Sequence, residues 1–469
     1  MPSIAASFRN AVAAGALTSA AAMAVAPPAA GKPYVMVRGL MSTRADAPPT
    51  YADCEAAYQA ACYSPQEIRH AYGVDHLVNA GLDGAGQTIV LIESYGSPTI
   101  EADLQAFDAG YGLPDPPLLA VLSPLGSVPW DPTTYPDQPG WGFETSLDVE
   151  WAHAMAPGAA IIVLTSPVDE TEGVQGLPEF LQLEQYALDH RLGKIISQSW
   201  GCTENTLFPD AAGPEGLQVV QAYEQLYTRA QQQRVTVFAS AGDNGASNQE
   251  SDGVTFYPFP TVGFPASSPL VTAVGGTDLE ASSTGAYQSE HVWNDDGCCA
   301  GGGGISQLFS EPGYQRLSLP RGVQRQLGRM RGLPDVSYNA AVEDEFIFIY
   351  ASFPGSGGAG YYGIGGTSEG APQWAGITAD LNQHFGRPLG FLNPTFYTLG
   401  AAGLFGRIGR DITVGNNGLD DVPGSVAPGY EATPGWDLAS GWGTPNLANL
   451  PAVLRDYLNA NLAAAEAER

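Results

Sequence analysis

The 469-residue chain is predicted to fold as an α/β protein, with a mostly parallel central sheet covered by helices on both faces. Two observations predict it. Short apolar runs recur at 87–93, 159–165, 194–200, 234–240 and 270–275, and stretches with helical character lie at 101–109, 144–155, 181–191 and 216–233. Continuous rather than alternating apolar runs indicate strands buried on both faces, and strands alternating with helices indicate parallel pairing through crossovers. Ligand sites of such sheets form beyond the carboxyl ends of the strands.

Taken in order, the chain is expected to open on an export signal at 1–26. Arg9 precedes an Ala-rich apolar run, Ala24-Val25-Ala26 offers a small-x-small cleavage site, and Pro27-Pro28 ends the run. An irregular, Ala/Pro-rich lead is expected over 27–63. Ser64-Pro65-Gln66-Glu67 then has the form of a capping box opening a helix. The 87–93 run ends in an acid, Glu93. Ser199-Trp200-Gly201 and Ala241-Gly242-Asp243 each follow a predicted strand and so fall at the site-bearing edge. Residues 456–469 are expected to form a peripheral helix or a tail.

Acidic residues outnumber Lys and Arg by 49 to 19, a net charge of −30, which repels nucleic acid and anionic membranes. With 44% hydrophobic residues, the charge argues for solubility rather than disorder, and it suits an acidic medium. Five cysteines fit an exported protein. Cys54 and Cys62 bracket a short loop and could pair. Cys202, Cys298 and Cys299 could supply a second bridge with one thiol left over. A monomer is expected.

The chemistry centres on Gly363-Ile364-Gly365-Gly366-Thr367-Ser368-Glu369-Gly370-Ala371-Pro372. Small residues around a hydroxyl admit a substrate backbone and suit a sharp entry into a helix. Gly366-x-Ser368-x-Gly370 matches the nucleophile elbow of an esterase-type hydrolase; Gly-Thr-Ser-x-x-x-Pro matches the nucleophile turn of a subtilisin-like peptidase. Either needs a base. The histidines are His70, His76, His153, His190, His291 and His384. Only His384 lies downstream, on the same predicted helix as Ser368, so the elbow reading nearly fails. Upstream there is no histidine in a subtilisin context, and Glu93, placed where a subtilisin has its strand-end aspartate, has none to orient.

The base is instead expected on the helix carrying Glu144 and Asp148. These lie four residues apart on one face, with Leu147 and Trp151, where like charges repel unless they share a proton or are bonded. A third acid, Asp243, ends a strand in Ser240-Ala241-Gly242-Asp243-Asn244-Gly245. Protonated, it could donate to a developing oxyanion; as a plain turn residue it would form an Asx-turn.

Together these motifs resemble the sedolisins, or serine-carboxyl peptidases, which include the kumamolisins. The resemblance runs from about Ser64 to Val453 and rests on several motifs in order. They are Gly84-Ala85-Gly86-Gln87-Thr88-Ile89, the Glu144/Asp148 helix with Ala156-Pro157-Gly158-Ala159, Ser197-Gln198-Ser199-Trp200-Gly201, and Ser240-Ala241-Gly242-Asp243. Val292-Trp293-Asn294, Gly302-Gly303-Gly304-Ile305-Ser306, Pro334-Asp335-Val336-Ser337, the Gly-Thr-Ser turn and Leu392-Asn393-Pro394 complete the set.

The resemblance implies a subtilisin-like fold over 64–455 and endopeptidase activity at acidic pH. It implies Ser368 as nucleophile, Glu144 as general base and acid, Asp148 orienting Glu144, and Asp243 with the Ser368 N–H as the oxyanion hole. Ser199, Trp200, Gly201 and Gly242 would line the cleft and pair with the peptide backbone. A glutamate base, with an unperturbed pKa of about 4.3, belongs to acid conditions. A C-terminal site for one structural Ca²⁺ is also implied, with Asp411 and Asp437 through side chains and Ile412, Thr433 and Gly435 through carbonyls. Two departures stand out. The family's large prodomain is not expected in the short 27–63 lead, and Gly366 stands where the family commonly has serine. An inactive peptide-binding relative and a secreted esterase are the competing readings.

Overall fold

The computed structural model describes residues 35–449, apart from 296, 420, 421, 423 and 426. The expected export signal, the start of the lead and the 456–469 segment lie outside the described residues.

Each predicted run forms a strand of one eight-stranded sheet. Its order is Tyr287–Val292, Thr272–Ala281, Thr236–Ser240, Ile195–Gln198, Thr88–Ser94, Ala160–Ser166, Leu119–Leu122, with Val336–Asn339 also lying parallel to Thr272–Ala281. Only Tyr287–Val292 runs antiparallel, as the hairpin partner of Thr272–Ala281.

Side chains alternate along the central strand. Ile89 and Leu91 enter a core shared with Leu147, Trp151, Met155 and Ala375, from the helices Gln138–Met155 and Gly370–Phe385. Val90 and Ile92 enter the opposite core with Phe180, Leu183, Tyr223 and Leu226, from Leu177–His190 and Pro209–Gln232. Burying each such aliphatic chain stabilises by roughly 1.5–3 kcal/mol, so both faces of the sheet contribute. From Thr88–Ser94 the chain builds outward on one side and then reverses to Ile195–Gln198 on the other. The crevice at that reversal is where a doubly wound sheet holds its ligands.

The 27–63 lead is not irregular over its described part, 35–63, which corrects the sequence expectation. Met36–Ser42 pairs antiparallel with Gly360–Gly365, which pairs with Glu345–Ala351, which in turn lies parallel to Ala61–Tyr63. Between the two lead strands, Tyr51–Tyr58 is a helix whose Thr50 and Asp53 form a capping box. The partners of these short strands lie some three hundred residues away in sequence, so local composition could not reveal them. Cys54 and Cys62 are bridged, tying the helix to its strand, and Cys298 bonds to Cys299. Cys202 is a buried free thiol. The capping box predicted at Ser64 forms, with Ser64 N donating to Glu67 Oε2 at 2.7 Å.

Candidate active site

The strand Gly360–Gly365 delivers Ser368. Gly366 turns the chain with φ 109°, a conformation that side chains other than hydrogen rarely allow. One 3₁₀ turn, Thr367–Glu369, follows, and then the helix Gly370–Phe385. That helix packs tightly on Gln138–Met155. A Cβ at Gly376 would fall 2.6 Å from Met155 Cβ and 2.9 Å from the Ala152 carbonyl, so only glycine permits the approach. Close packing of these two helices sets Ser368 against Glu144.

Glu144, Asp148 and Ser368 are completely buried. Burial first, and then the charge of Asp148, push the Glu144 carboxyl well above its usual range; the Ser368 hydroxyl pulls it partly back. The serine therefore lies close enough to act on Glu144. Yet Ser368 Oγ and both Glu144 oxygens lack a partner of normal hydrogen-bond geometry among the described residues, a looseness common in catalytic pairs without substrate. Asp148 Oδ1 accepts from Ser199 Oγ at 2.7 Å. Burial raises its carboxyl to about 7, against the opposing hydrogen bonds of Ser199 and Glu93.

Glu93 was visible as a strand-end acid but not assigned to the site. It is fully buried and lies against Asp148, close enough for one carboxyl to donate to the other, and burial with the charges of Asp148 and Glu144 pushes it well above normal. Three contiguous buried carboxyls, with no cationic side chain paired to them among the described residues, favour holding protons in common.

Asp243 is the fourth acid, buried and raised to about 7 by desolvation. Its Oδ1 accepts from Thr367 N at 2.8 Å and Thr367 Oγ1 at 2.7 Å. Its Oδ2 is buried and unpartnered among the described residues. With Oδ1 occupied as acceptor, a proton on Asp243 belongs on Oδ2, the oxygen free to donate. Thr367 sits inside the Gly-Thr-Ser motif, but its tie to Asp243, 124 residues away in sequence, is not encoded by local spacing.

The expected cleft residues divide. Ser199 spends its hydroxyl on Asp148, and Trp200 buries its ring against Phe180, with centroids 4.5 Å apart. Only the backbone of 199–201, outside any strand, is left for a substrate. Gly242 is committed: its N–H donates to Thr367 Oγ1 at 3.0 Å and its carbonyl accepts from Gly302 N at 2.6 Å. It holds the nucleophile turn, and its N–H is not free to pair with a peptide.

No described histidine serves Ser368. His153 pairs with buried Asp108 at 3.2 Å, His70 with Asp75 at 2.9 Å, and His291 lies 3.7 Å from Asp278. His76 also faces Asp75, His190 bonds the Tyr186 carbonyl, and His384 is exposed beside Phe385.

The two C-terminal segments expected to hold calcium do converge. Gly435 N donates to Asp411 Oδ2 at 2.8 Å, and Thr433 N donates to Asp437 Oδ2 at 2.7 Å. Gly435, with φ 85°, makes the turn that allows this. Burial raises Asp437 to about 6. Ile412 buries its side chain against Val292 and Ala439, which leaves its carbonyl as its only possible ligand. The exposed Asp411 and the buried Asp437 supply carboxylate oxygens, the donor type that suits a hard cation.

Known proteins resemble this chain in sequence and in fold. The Subtilase family model matches residues 146–395. Kumamolisin from Bacillus sp. (strain MN-32) is 35% identical over 386 residues, covering 82% of this chain and 62% of that protein. The solved structure of Pseudomonas sedolisin (serine-carboxyl proteinase), complexed with two molecules of pseudo-iodotyrostatin, superposes with a TM-score of 0.68 at 30% identity. It covers 85% of this chain and 99% of that one.

The chain belongs to the sedolisin family. As a sedolisin homologue it has the subtilisin-like α/β fold, confirming the predicted class. Tripeptidyl-peptidase 1 from Homo sapiens is also similar, 32% identical over 331 residues that cover 68% of this chain and 52% of that protein. The chain thus spans about half to three fifths of the length of these curated relatives.

Proposed function

We propose that this sedolisin homologue is a secreted, acid-active serine endopeptidase that cleaves proteins or peptides through an acyl-enzyme. The observation that carries the reading is Ser368 buried against Glu144, with every described histidine engaged elsewhere or exposed. Ser368 Oγ attacks the scissile carbonyl while Glu144 takes its proton. In the ionised form that acts, Asp148, held by Ser199 and backed by Glu93, keeps its proton and donates to Glu144, and the single negative charge shared by the three carboxyls lies where Ser368 can reach it. The carbonyl oxygen, becoming an oxyanion, accepts from protonated Asp243 Oδ2 and from the Ser368 N–H at the start of a helix. Glu144 then returns the proton to the leaving amine, and water reverses the sequence to free the acid product.

Asp411 and Asp437 would hold Ca²⁺ with the carbonyls of Ile412, Thr433 and Gly435, pinning the C-terminal loops. Secretion is supported by the export-type sequence at 1–26, by the Cys54–Cys62 bridge, and by the absence of any described helix long and apolar enough to cross a membrane. We read the working form as a monomer.

The test is digestion of an unfolded protein at about pH 4 in the presence of calcium, comparing wild type with Ser368→Ala. Cleavage by wild type alone supports the peptidase. An absence of wild-type cleavage would favour a peptide-binding relative. Activity lost on His384→Ala would favour the esterase.

A further inference from the structure

A concavity of about 620 Å³, whose lining includes none of the active-site acids, is lined by Arg316, Arg321, Arg325, Arg329, Gln324 and Glu311. Four of the chain's 19 Lys and Arg gather here, on a molecule of net charge −30. Glu311 is the only acid between residues 297 and 334. The arginines are exposed, and none forms an ion pair among the described residues.

The fold builds this feature deliberately. The short helices Gly313–Ser318 and Arg321–Leu327 are joined by Gln324 Nε2, which donates to the Arg316 carbonyl at 2.8 Å and the Leu319 carbonyl at 2.7 Å. Glu311 N donates to the Arg329 carbonyl at 2.8 Å and closes the rim. Arg321 and Arg325 lie four residues apart on the helix Arg321–Leu327, a spacing at which like charges repel and destabilise, and Arg329 follows just beyond the Gly328 cap. Opposing them is Glu311, whose Oε1 is buried without a hydrogen-bond partner among the described residues. Burial raises the Glu311 carboxyl above its ordinary value, and Arg316 and Arg329, the charged groups that face it, offset part of that rise.

We propose that this concavity binds a compact polyanion bearing sulfate or phosphate esters. Guanidinium forks match tetrahedral oxyanions in pairs of parallel hydrogen bonds. Four forks around one space of this size exceed what a single carboxylate can occupy, and the volume is that of a small-molecule site. The ligand relieves the repulsion among the arginines, while Gln324, both of whose Nε2 hydrogens are spent on the Arg316 and Leu319 carbonyls, holds the two helices together beneath it.

Calorimetric titration of the full chain with sucrose octasulfate and with glucose 1,6-bisphosphate, at matched ionic strength and against plain sucrose, tests this. Saturable binding of either anion with none of sucrose is expected, and the tighter of the two identifies the ester. Arg321→Gln/Arg325→Gln should weaken it by about tenfold or more, with a melting temperature in the absence of ligand no lower than that of wild type. Glu311→Gln should act in the opposite direction and tighten it. Absence of saturable binding, equal affinity in the double arginine variant, or weaker binding by Glu311→Gln would each overturn the proposal. So would displacement by poly-glutamate at equal affinity, which would mark a carboxylate site.

Discussion

Thr367 clamps Asp243 from two atoms at once, its N–H at 2.8 Å and its hydroxyl at 2.7 Å both donating to Oδ1. The same hydroxyl accepts from Gly242 N at 3.0 Å. The residue before the nucleophile therefore fixes which oxygen of Asp243 faces the reaction. Thr367→Val keeps the shape and removes the hydroxyl bonds. We expect kcat to fall by about ten- to a hundredfold with little change in KM, because Thr367 acts through Asp243 rather than on substrate. Thr367→Ser should restore most of the rate.

Asp243→Ala removes the donor itself. Steady-state cleavage of a peptide substrate should show kcat lower by about 10²–10³, the range for losing one oxyanion donor. A loss expressed only in KM would place Asp243 in binding instead.

Stability should depend on pH in the direction opposite to that of most proteins. Burial raises Asp148 and Asp243 to about 7, from about 3.9 in an unfolded chain. Between those values the folded protein binds more protons than the unfolded one, so stability falls as pH rises. The contribution is fully present below about pH 4 and is lost by the time pH has risen through about 7. Calorimetric melting should give a higher midpoint at about pH 4 than at about pH 7. Asp148→Asn, which still accepts from Ser199, should flatten that slope.

Removing calcium should lower the melting temperature, since an ion that binds only the folded state stabilises it in proportion to its occupancy. Asp437→Asn should lower the midpoint with calcium present and abolish the response to chelator. A chelator effect that survives in both Asp437→Asn and Asp411→Asn would place the ion elsewhere.

Much of the site was legible because its residues sit in short, self-contained patterns. Glu144 and Asp148 share one helical face, and Ser368 and Asp243 each end a strand in a glycine-bearing turn. Glu93 was visible, but its meaning depends on a contact between a strand and a helix that no local spacing encodes. Gly242 was assigned to the substrate, whereas its N–H serves Thr367, a partner 125 residues away in sequence. The lead shows the same limit. Met36–Ser42 is a strand because Gly360–Gly365 needs an edge partner, and composition alone could not say so.

The most direct measurement is the acid digestion of an unfolded protein by Glu144→Gln beside wild type. Glutamine is nearly isosteric but cannot take the serine proton, so cleavage at about pH 4 should fall by about 10²–10⁴ while the fold persists. Equal rates for the two proteins would contradict Glu144 as the base that activates Ser368.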